Sequence, residues 1–303
     1  MSENWYDHKE TTSLGYKLMF FVLKVFPSGF MRLLAFVIGF FYWCFDKKSR
    51  KISKKYLAKV GKTSTLAHIS SFALNLVENV QSWAGKYSFK NVAWQGDDVH
   101  ELVKNINSGR GCITVMSHLG NSQLLKGLAS FGESGTERKI STTTIMDSEL
   151  TAGFGALVKK INPDSNFNII SSNNIGPDTI FLLQEKLEKG ELVVIAGDRI
   201  SAHTDRFIEL DFLGEKARFP YGVFLLIALL NVPTYFVNGL RHRDLSLNPA
   251  YDMYVKKSPI QYDCGRKERE ERIWQTAQNY AENLEELARK HPYQWYNFFD
   301  FWA

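Results

Sequence analysis

Residues 111–125 read GCITVMSHLGNSQLL, an apolar run that ends on a histidine. Cys112 to Met116 has the length and composition of a buried β-strand. The run stops at Ser117-His118, turns at Gly120-Asn121, and leads into a helix carrying Gln123, Leu124 and Leu125. In open α/β sheets ligands bind in the crevice outside the carboxyl ends of the strands. Histidine is the one side chain whose unperturbed pKa lies near neutrality, so His118 is the candidate general base. A lone histidine in such a loop is more often a satisfied structural residue, and the blocks downstream tip the balance.

Outward from this stretch the chain alternates in βα fashion. Strand-like runs are expected at Gly111 to Met116, Ile140 to Ile145, Phe167 to Ile170, Glu191 to Ala196, Val232 to Val237 and Asp252 to Val255. Helices are expected between them, notably Pro177 to Lys189 and Tyr221 to Leu230. The first has Pro177 near its start, Asp178 in its first turn and Gly190 just past its end. Thr63 to Ala84 repeats apolar residues at Leu66, Ile69, Phe72, Ala73, Leu76, Val77 and Val80, the spacing of an amphipathic helix. Arg266 to Lys290 is a charged helix with a seam at Ile273, Ala277, Tyr280, Leu284 and Leu287, too short a repeat to demand a coiled-coil partner. The pattern predicts an α/β fold, a mixed and largely parallel sheet flanked by helices, with an N-terminal membrane-associated helical segment.

Hydrophobic residues at 45% and charged ones at 23% of 303 residues fit a folded chain that buries a substantial core. The three cysteines (Cys44, Cys112 and Cys264) are scattered, which points to reduced thiols and no structural zinc. No metal or redox cofactor is implied, and nucleic acid is not expected as a partner.

The N-terminal segment is of another kind. Leu18 to Phe26 is apolar, broken by Lys24 and stopped by Pro27, and Leu33 to Phe45 contains no charge. As a helix the second run rises about 20 Å, short of a bilayer core. Extending it through Gly29, Phe30 and Met31 takes in Arg32, which can snorkel only if it lies near an interface. Lys47, Lys48, Arg50, Lys51, Lys54 and Lys55 follow directly. An apolar segment ending in Tyr42-Trp43 and a cationic cluster suits an anionic cytoplasmic leaflet. It is not a cleavable signal peptide, because the charges follow the apolar run. The expected division is 1–62 for the apolar and basic segment and 63–303 for the α/β domain.

Two further blocks bear chemistry. Ala196-Gly197-Asp198-Arg199 ends a strand and delivers a carboxylate and a guanidinium toward the rim that carries His118. Asp211 to Gly222, DFLGEKARFPYG, offers the cations Lys216 and Arg218 just before an apolar helix, a setting for an anion. The C-terminal PYQWYNFFDFW places seven aromatics between Tyr293 and Trp302, which must be buried or held at a membrane interface.

In order and spacing these blocks resemble the lysophospholipid acyltransferase superfamily, in particular its bacterial lipid A late acyltransferase branch. Ser117-His118-Leu119-Gly120-Asn121, Gly197-Asp198-Arg199, Phe212-Leu213-Gly214, Phe219-Pro220-x-Gly222, Val232-Pro233 and Gln294 to Trp302 carry the resemblance, which spans nearly the whole chain. It implies a glycerophosphate acyltransferase-like fold at the cytoplasmic side of a bacterial inner membrane. It implies an acyl thioester donor on acyl carrier protein or coenzyme A, and a lipid or glycolipid acceptor whose hydroxyl His118 deprotonates. The family places Asp or Glu five positions after the histidine; here that position is Gln123. A glutamine can fix the imidazole tautomer but carries no charge to stabilise imidazolium. Three outcomes follow: another carboxylate (Asp198, Asp147 or Glu149) substitutes, the enzyme is slow, or the chain is a lipid-binding relative without the reaction. Gly120 and Asn121 amides are the expected oxyanion donors, with Arg199, Lys216 and Arg218 as anion-binding groups. A serine hydrolase is the rival enzyme class, weakened because no Gly-x-Ser-x-Gly elbow is present.

Overall fold

The computed structural model describes residues 27–130, 136–146, 167–172, 175–200, 204, 206–247 and 250–302. The apolar run Leu18 to Phe26 and the candidate carboxylates Asp147 and Glu149 lie outside them. The described chain begins with α1 (Ser28–Phe45), α2 (Lys47–Lys59) and α3 (Thr65–Trp83). Then come β1 (Val92–Gln95), α4 (Asp98–Asn107), β2 (Cys112–Met116), α5 (Leu124–Ser130), β3 (Thr142–Met146) and β4 (Phe167–Ser171). The second half holds α6 (Pro177–Glu188), β5 (Leu192–Ala196), β6 (Phe207–Phe212), β7 (Glu215–Pro220), α7 (Tyr221–Leu230), β8 (Thr234–Arg241), β9 (Tyr251–Lys257) and α8 (Arg266–Lys290).

The main sheet has seven strands in the order β1-β9-β8-β2-β5-β3-β4. β8, β2, β5, β3 and β4 run parallel; β9 is antiparallel to β8, and β1 is parallel to β9. β2 is buried along its whole length because successive side chains enter two separate cores. Ile113 and Val115 meet Leu183 of α6, Phe224 of α7, and Tyr280 and Leu284 of α8. Cys112 and Met116 meet Leu102 and Ile106 of α4 and Leu124, Leu125 and Leu128 of α5. The protein is therefore an α/β structure with helices on both faces of a mostly parallel mixed sheet.

One short feature escapes a reading of local pattern. β1 is only four residues, too short for periodicity to register. Residues 207–220 form a separate antiparallel hairpin, with Leu213 (φ 52°) and Gly214 (φ 83°) at its turn. Positive φ at both positions is the geometry of a two-residue hairpin turn.

α1 is 18 residues long, so the helix runs through Arg32 rather than starting after it. Arg32 does not snorkel to an interface. It turns inward, 6% exposed, and donates to Gln81 Oε1 (3.1 Å) and Tyr87 Oη (3.0 Å). Met31, Ala35 and Gly39 complete a narrow stripe against α3, where Gly39 lies so close that a Cβ would sit 3.1 Å from Ser70 Cα. Leu34, Phe36, Trp43 and Cys44 are half-buried, while Phe30, Leu33, Val37, Ile38, Phe40, Phe41 and Phe45 are apolar and exposed. By length and composition it is the one described helix able to cross a membrane.

Candidate active site

The sheet register assembles the site. β2 and β5 are neighbouring parallel strands with Met116 opposite Ala196, and Gly197 N–H donates to Met116 O (2.9 Å), continuing the ladder. Two residues further on, at the carboxyl ends of both strands, His118 stands beside Asp198. The close approach needs Gly197, because a Cβ there would lie 2.7 Å from Val115 Cγ1 and 2.8 Å from Tyr280 Cζ. Tyr280 Oη, rising from α8, donates to the same Met116 carbonyl at 2.9 Å.

Asp198 is fully buried and accepts three hydrogen bonds. His118 Nδ1 donates to Oδ1 at 2.8 Å, while His118 N and Trp295 Nε1 donate to Oδ2 at 2.8 and 3.2 Å. Burial by itself would raise this carboxyl, but the imidazole, the Arg199 guanidinium and the His118 amide together hold it below its ordinary value. It is the anionic anchor that fixes the proton on Nδ1. His118 Nε2 is thereby left as an acceptor, and it has no partner among the described residues; the side chain is 32% exposed. Burial and then the Arg199 charge lower the imidazole below 6.5, against the pull of Asp198. The ring therefore rests neutral at pH 7, the state a proton acceptor requires.

The aromatic tail builds the wall behind this pair. Gly120 N–H donates to Gln294 O (2.8 Å) and Tyr296 N–H to His118 O (2.9 Å), so the tail pairs with the histidine loop like a short strand. Arg199 Nη2 donates to Tyr296 O (3.0 Å) and its guanidinium lies 5.8 Å from the Phe299 ring centre. His68, buried on α3, bonds Trp295 O through Nε2 (2.8 Å) and Ser53 Oγ through Nδ1 (2.9 Å). Burial pushes His68 down to about 4, so it is a neutral structural link between α2, α3 and the tail. Of the two environments open to the aromatic cluster, Trp295, Tyr296 and Phe301 occupy the buried one.

Several expected site residues take other places. Gln123 does not touch the imidazole: its Oε1 accepts from Trp83 Nε1 (3.2 Å) and its Nε2 donates to Ser122 Oγ (3.3 Å). It sits where α5 begins, turned toward α3, while Asp198, two residues past the end of the neighbouring strand β5, is the carboxylate at the imidazole. For the transfer reaction that the resemblance implies, replacing Gln123 with Ala is expected to change activity less than about tenfold, and Gln123→Glu to bring no gain, in a steady-state assay. A large gain on Gln123→Glu would mean that Asp198 is not the partner of the base.

Gly120 and Asn121 are not free oxyanion donors. Their amides go to Gln294 O and to Gly239 O (2.7 Å). Gly120 (φ 76°) is instead a turn residue whose Cβ would collide with Gly239 O, and Asn121 Oδ1 accepts from Gln123 N (3.0 Å) at the start of α5. Lys216 and Arg218 lie on the outer side of the β6–β7 hairpin. Lys216 is paired with Asp211 (2.9 Å), and the Arg218 guanidinium lies 4.5 Å from the Phe207 ring centre. The inward side of the hairpin, Phe212 and Phe219, packs in the core around Trp295 and Phe301, so alternation turns these cations away from it.

Sequence reasoning did not assign Trp295 or Tyr280 to the site. The Trp295 signal lay in an aromatic cluster that many structures would bury for packing alone. Among the described residues no group of three His, Cys, Asp or Glu is placed to hold a metal ion. No family model and no curated protein sequence matches this chain.

Proposed function

We propose that this protein is a membrane-associated O-acyltransferase of the lysophospholipid acyltransferase type, close in its arrangement of blocks to the lipid A late acyltransferases. The observation that carries the reading is the His118–Asp198 pair at the mouth of two adjacent parallel strands, with Nε2 turned outward. In this reading Nε2 takes the proton of an acceptor hydroxyl, and the oxygen attacks the carbonyl carbon of an acyl thioester. The carbon–sulfur bond then breaks, and the imidazolium returns the proton to the departing thiolate. Asp198 stabilises the imidazolium meanwhile. The donor is acyl carrier protein or coenzyme A thioester, and the acceptor is a lipid or glycolipid hydroxyl.

Two features favour this over its rivals. A silent lipid-binding relative has no need of a buried carboxylate aimed at Nδ1, and Asp198 supplies the charge that Gln123 lacks. A serine hydrolase needs a hydroxyl against Nε2; the neighbouring Ser117 is buried and donates to Asn238 Oδ1 instead. Attachment to the cytoplasmic leaflet of a bacterial inner membrane rests on the exposed apolar side of α1 beside Lys47, Lys48, Lys51, Lys54 and Lys55, exposed on α2.

The test is mass spectrometry of lipids from cells with the gene, without it, and with His118→Ala. One acyl chain added to a lipid class only by the wild-type gene is expected; the same gain with His118→Ala removes the base assignment. A second expected outcome concerns pH. Because the imidazole is held below 6.5, kcat/KM should be flat at neutrality and fall as pH drops through a midpoint below that value. An acid limb centred above 7 would contradict it.

A further inference from the structure

Trp295 stands in the C-terminal tail, fully buried, 97 positions along the chain from the aspartate it touches. A buried indole has one N–H to place, and it needs an acceptor. Most side-chain donors in proteins take a backbone carbonyl or water. Trp302, in the same aromatic cluster, does so by donating to Phe212 O at 3.1 Å. Trp295 Nε1 goes instead to a carboxylate oxygen, Asp198 Oδ2, at 3.2 Å. The other two donors to this carboxylate, the backbone N–H and Nδ1 of His118, both belong to the histidine and move with it. The indole therefore ties the His118–Asp198 pair to a third segment of the chain.

The indole is held in turn by several elements. Its ring meets Tyr56, Phe212 and Phe301 edge to face, with ring centres 5.0, 5.2 and 5.0 Å away. Trp295 O accepts from His68 Nε2 at 2.8 Å, and Trp295 pairs with Leu119 where the tail meets the histidine loop. Turning the ring would break this packing, so Nε1 is delivered in one direction. With Oδ1 facing the imidazole and Oδ2 facing both the His118 amide and the indole, the carboxylate is fixed at both oxygens. An aromatic ring that only filled space here would need no N–H aimed at a charge.

We propose that Trp295 is a positioning residue of the candidate site: its indole N–H holds the Asp198 carboxylate in the orientation that meets His118 Nδ1, and shares the charge on which the imidazole draws. The positioning stands on this geometry, while its consequence for acyl transfer rests on the function proposed above.

The first test is spectroscopic and uses the full-length wild type in detergent micelles, isotope-labelled at tryptophan. Single Trp→Phe replacements assign the indole N–H signals, directly or by elimination. Because the indole and the imidazole share one carboxylate, the Trp295 signal should shift with pH at the midpoint of the His118 ring. Trp302, bound to a neutral carbonyl, is the internal control and should not follow it. A Trp295 signal that ignores the imidazole midpoint overturns the proposal, whether or not any variant folds.

The second test compares Trp295→Phe with Phe301→Leu. The former removes the donor and keeps most of the ring packing; the latter loosens the same cluster and leaves the donor in place. Both should lower the melting temperature. Only Trp295→Phe should raise the His118 midpoint, because a carboxylate that loses a donor holds the imidazolium more tightly. The charged groups that act on the ring, Asp198, Arg199 and Lys126, are the same in both variants. In an assay of the proposed transfer, Trp295→Phe should lower kcat about tenfold with KM little changed, since a hydrogen bond to a charged group is lost. An unchanged midpoint in Trp295→Phe, or an equal rise in Phe301→Leu, would reduce Trp295 to packing and overturn the proposal. Linked titration of indole and imidazole in a protein that transfers no acyl group would uphold the positioning and sink the reaction.

Discussion

Asp198→Asn is expected to lower the proposed acyl transfer by about 10⁴, the size of effect seen when a buried aspartate behind a catalytic histidine loses its charge. The reason lies in the hydrogen-bond directions. Asp198 accepts from the His118 amide and Trp295 Nε1 on one oxygen and from His118 Nδ1 on the other. An amide satisfies the first oxygen's donors and then presents its own N–H₂ to Nδ1. That forces the imidazole proton onto Nε2, the atom that must accept, and also withdraws the charge that stabilises imidazolium. The substitution is nearly isosteric, so circular dichroism and melting should stay close to wild type while the rate collapses. His118→Ala should be as damaging, and the double variant no worse than either single one, because the two residues act as a unit. Activity of Asp198→Asn within tenfold of wild type would break the link between this pair and the chemistry.

The second large effect concerns stability. Arg241, the last residue of β8, is buried against Glu78 of α3, with Nη1 donating to Oε2 at 2.6 Å. Its other donors reach Tyr296 Oη (2.7 Å), Ser71 O (3.1 Å), Ser71 Oγ and Asp244 O (3.0 Å). Its backbone exchanges hydrogen bonds with the Gln294 side chain at 2.8 and 2.9 Å. This knot therefore clamps the tail residues whose backbone pairs with the His118 loop. Arg241→Met strands the Glu78 carboxylate in the interior and is expected to lower unfolding free energy by about 3–5 kcal/mol. Most of that loss is the uncompensated charge. Adding Glu78→Leu should accordingly recover part of it in urea unfolding, while the lost contacts to Tyr296 stay lost. A double variant less stable than Arg241→Met alone would show that the anion has another partner.

Much of the architecture is legible in local pattern. The apolar runs predicted as strands contain β2 and β5 and overlap β3 and β4, each of which runs one residue further, and the helices Tyr221 to Leu230 and Arg266 to Lys290 appear at the expected bounds. Burial on both faces makes parallel strands into short continuous apolar segments, and helix packing imposes a 3.6-residue repeat; both are properties of neighbours in sequence. The same logic put His118 and Asp198 at strand ends, and the family resemblance put Asp198 among the carboxylates able to stand in for Gln123.

Sequence alone thus determined the α/β class, the apolar first helix and the position of the candidate base. Only the tertiary structure shows which described carboxylate stands against it. Asp198 is eighty positions away in sequence and meets the imidazole because β5 lies beside β2 in one register, while the nearby Gln123 is turned to Trp83 by the start of α5. The same holds for the cations: alternation in the hairpin sends Lys216 and Arg218 outward. Strand order, register and the burial of a single charge arise from contacts between distant segments, and no local periodicity encodes them.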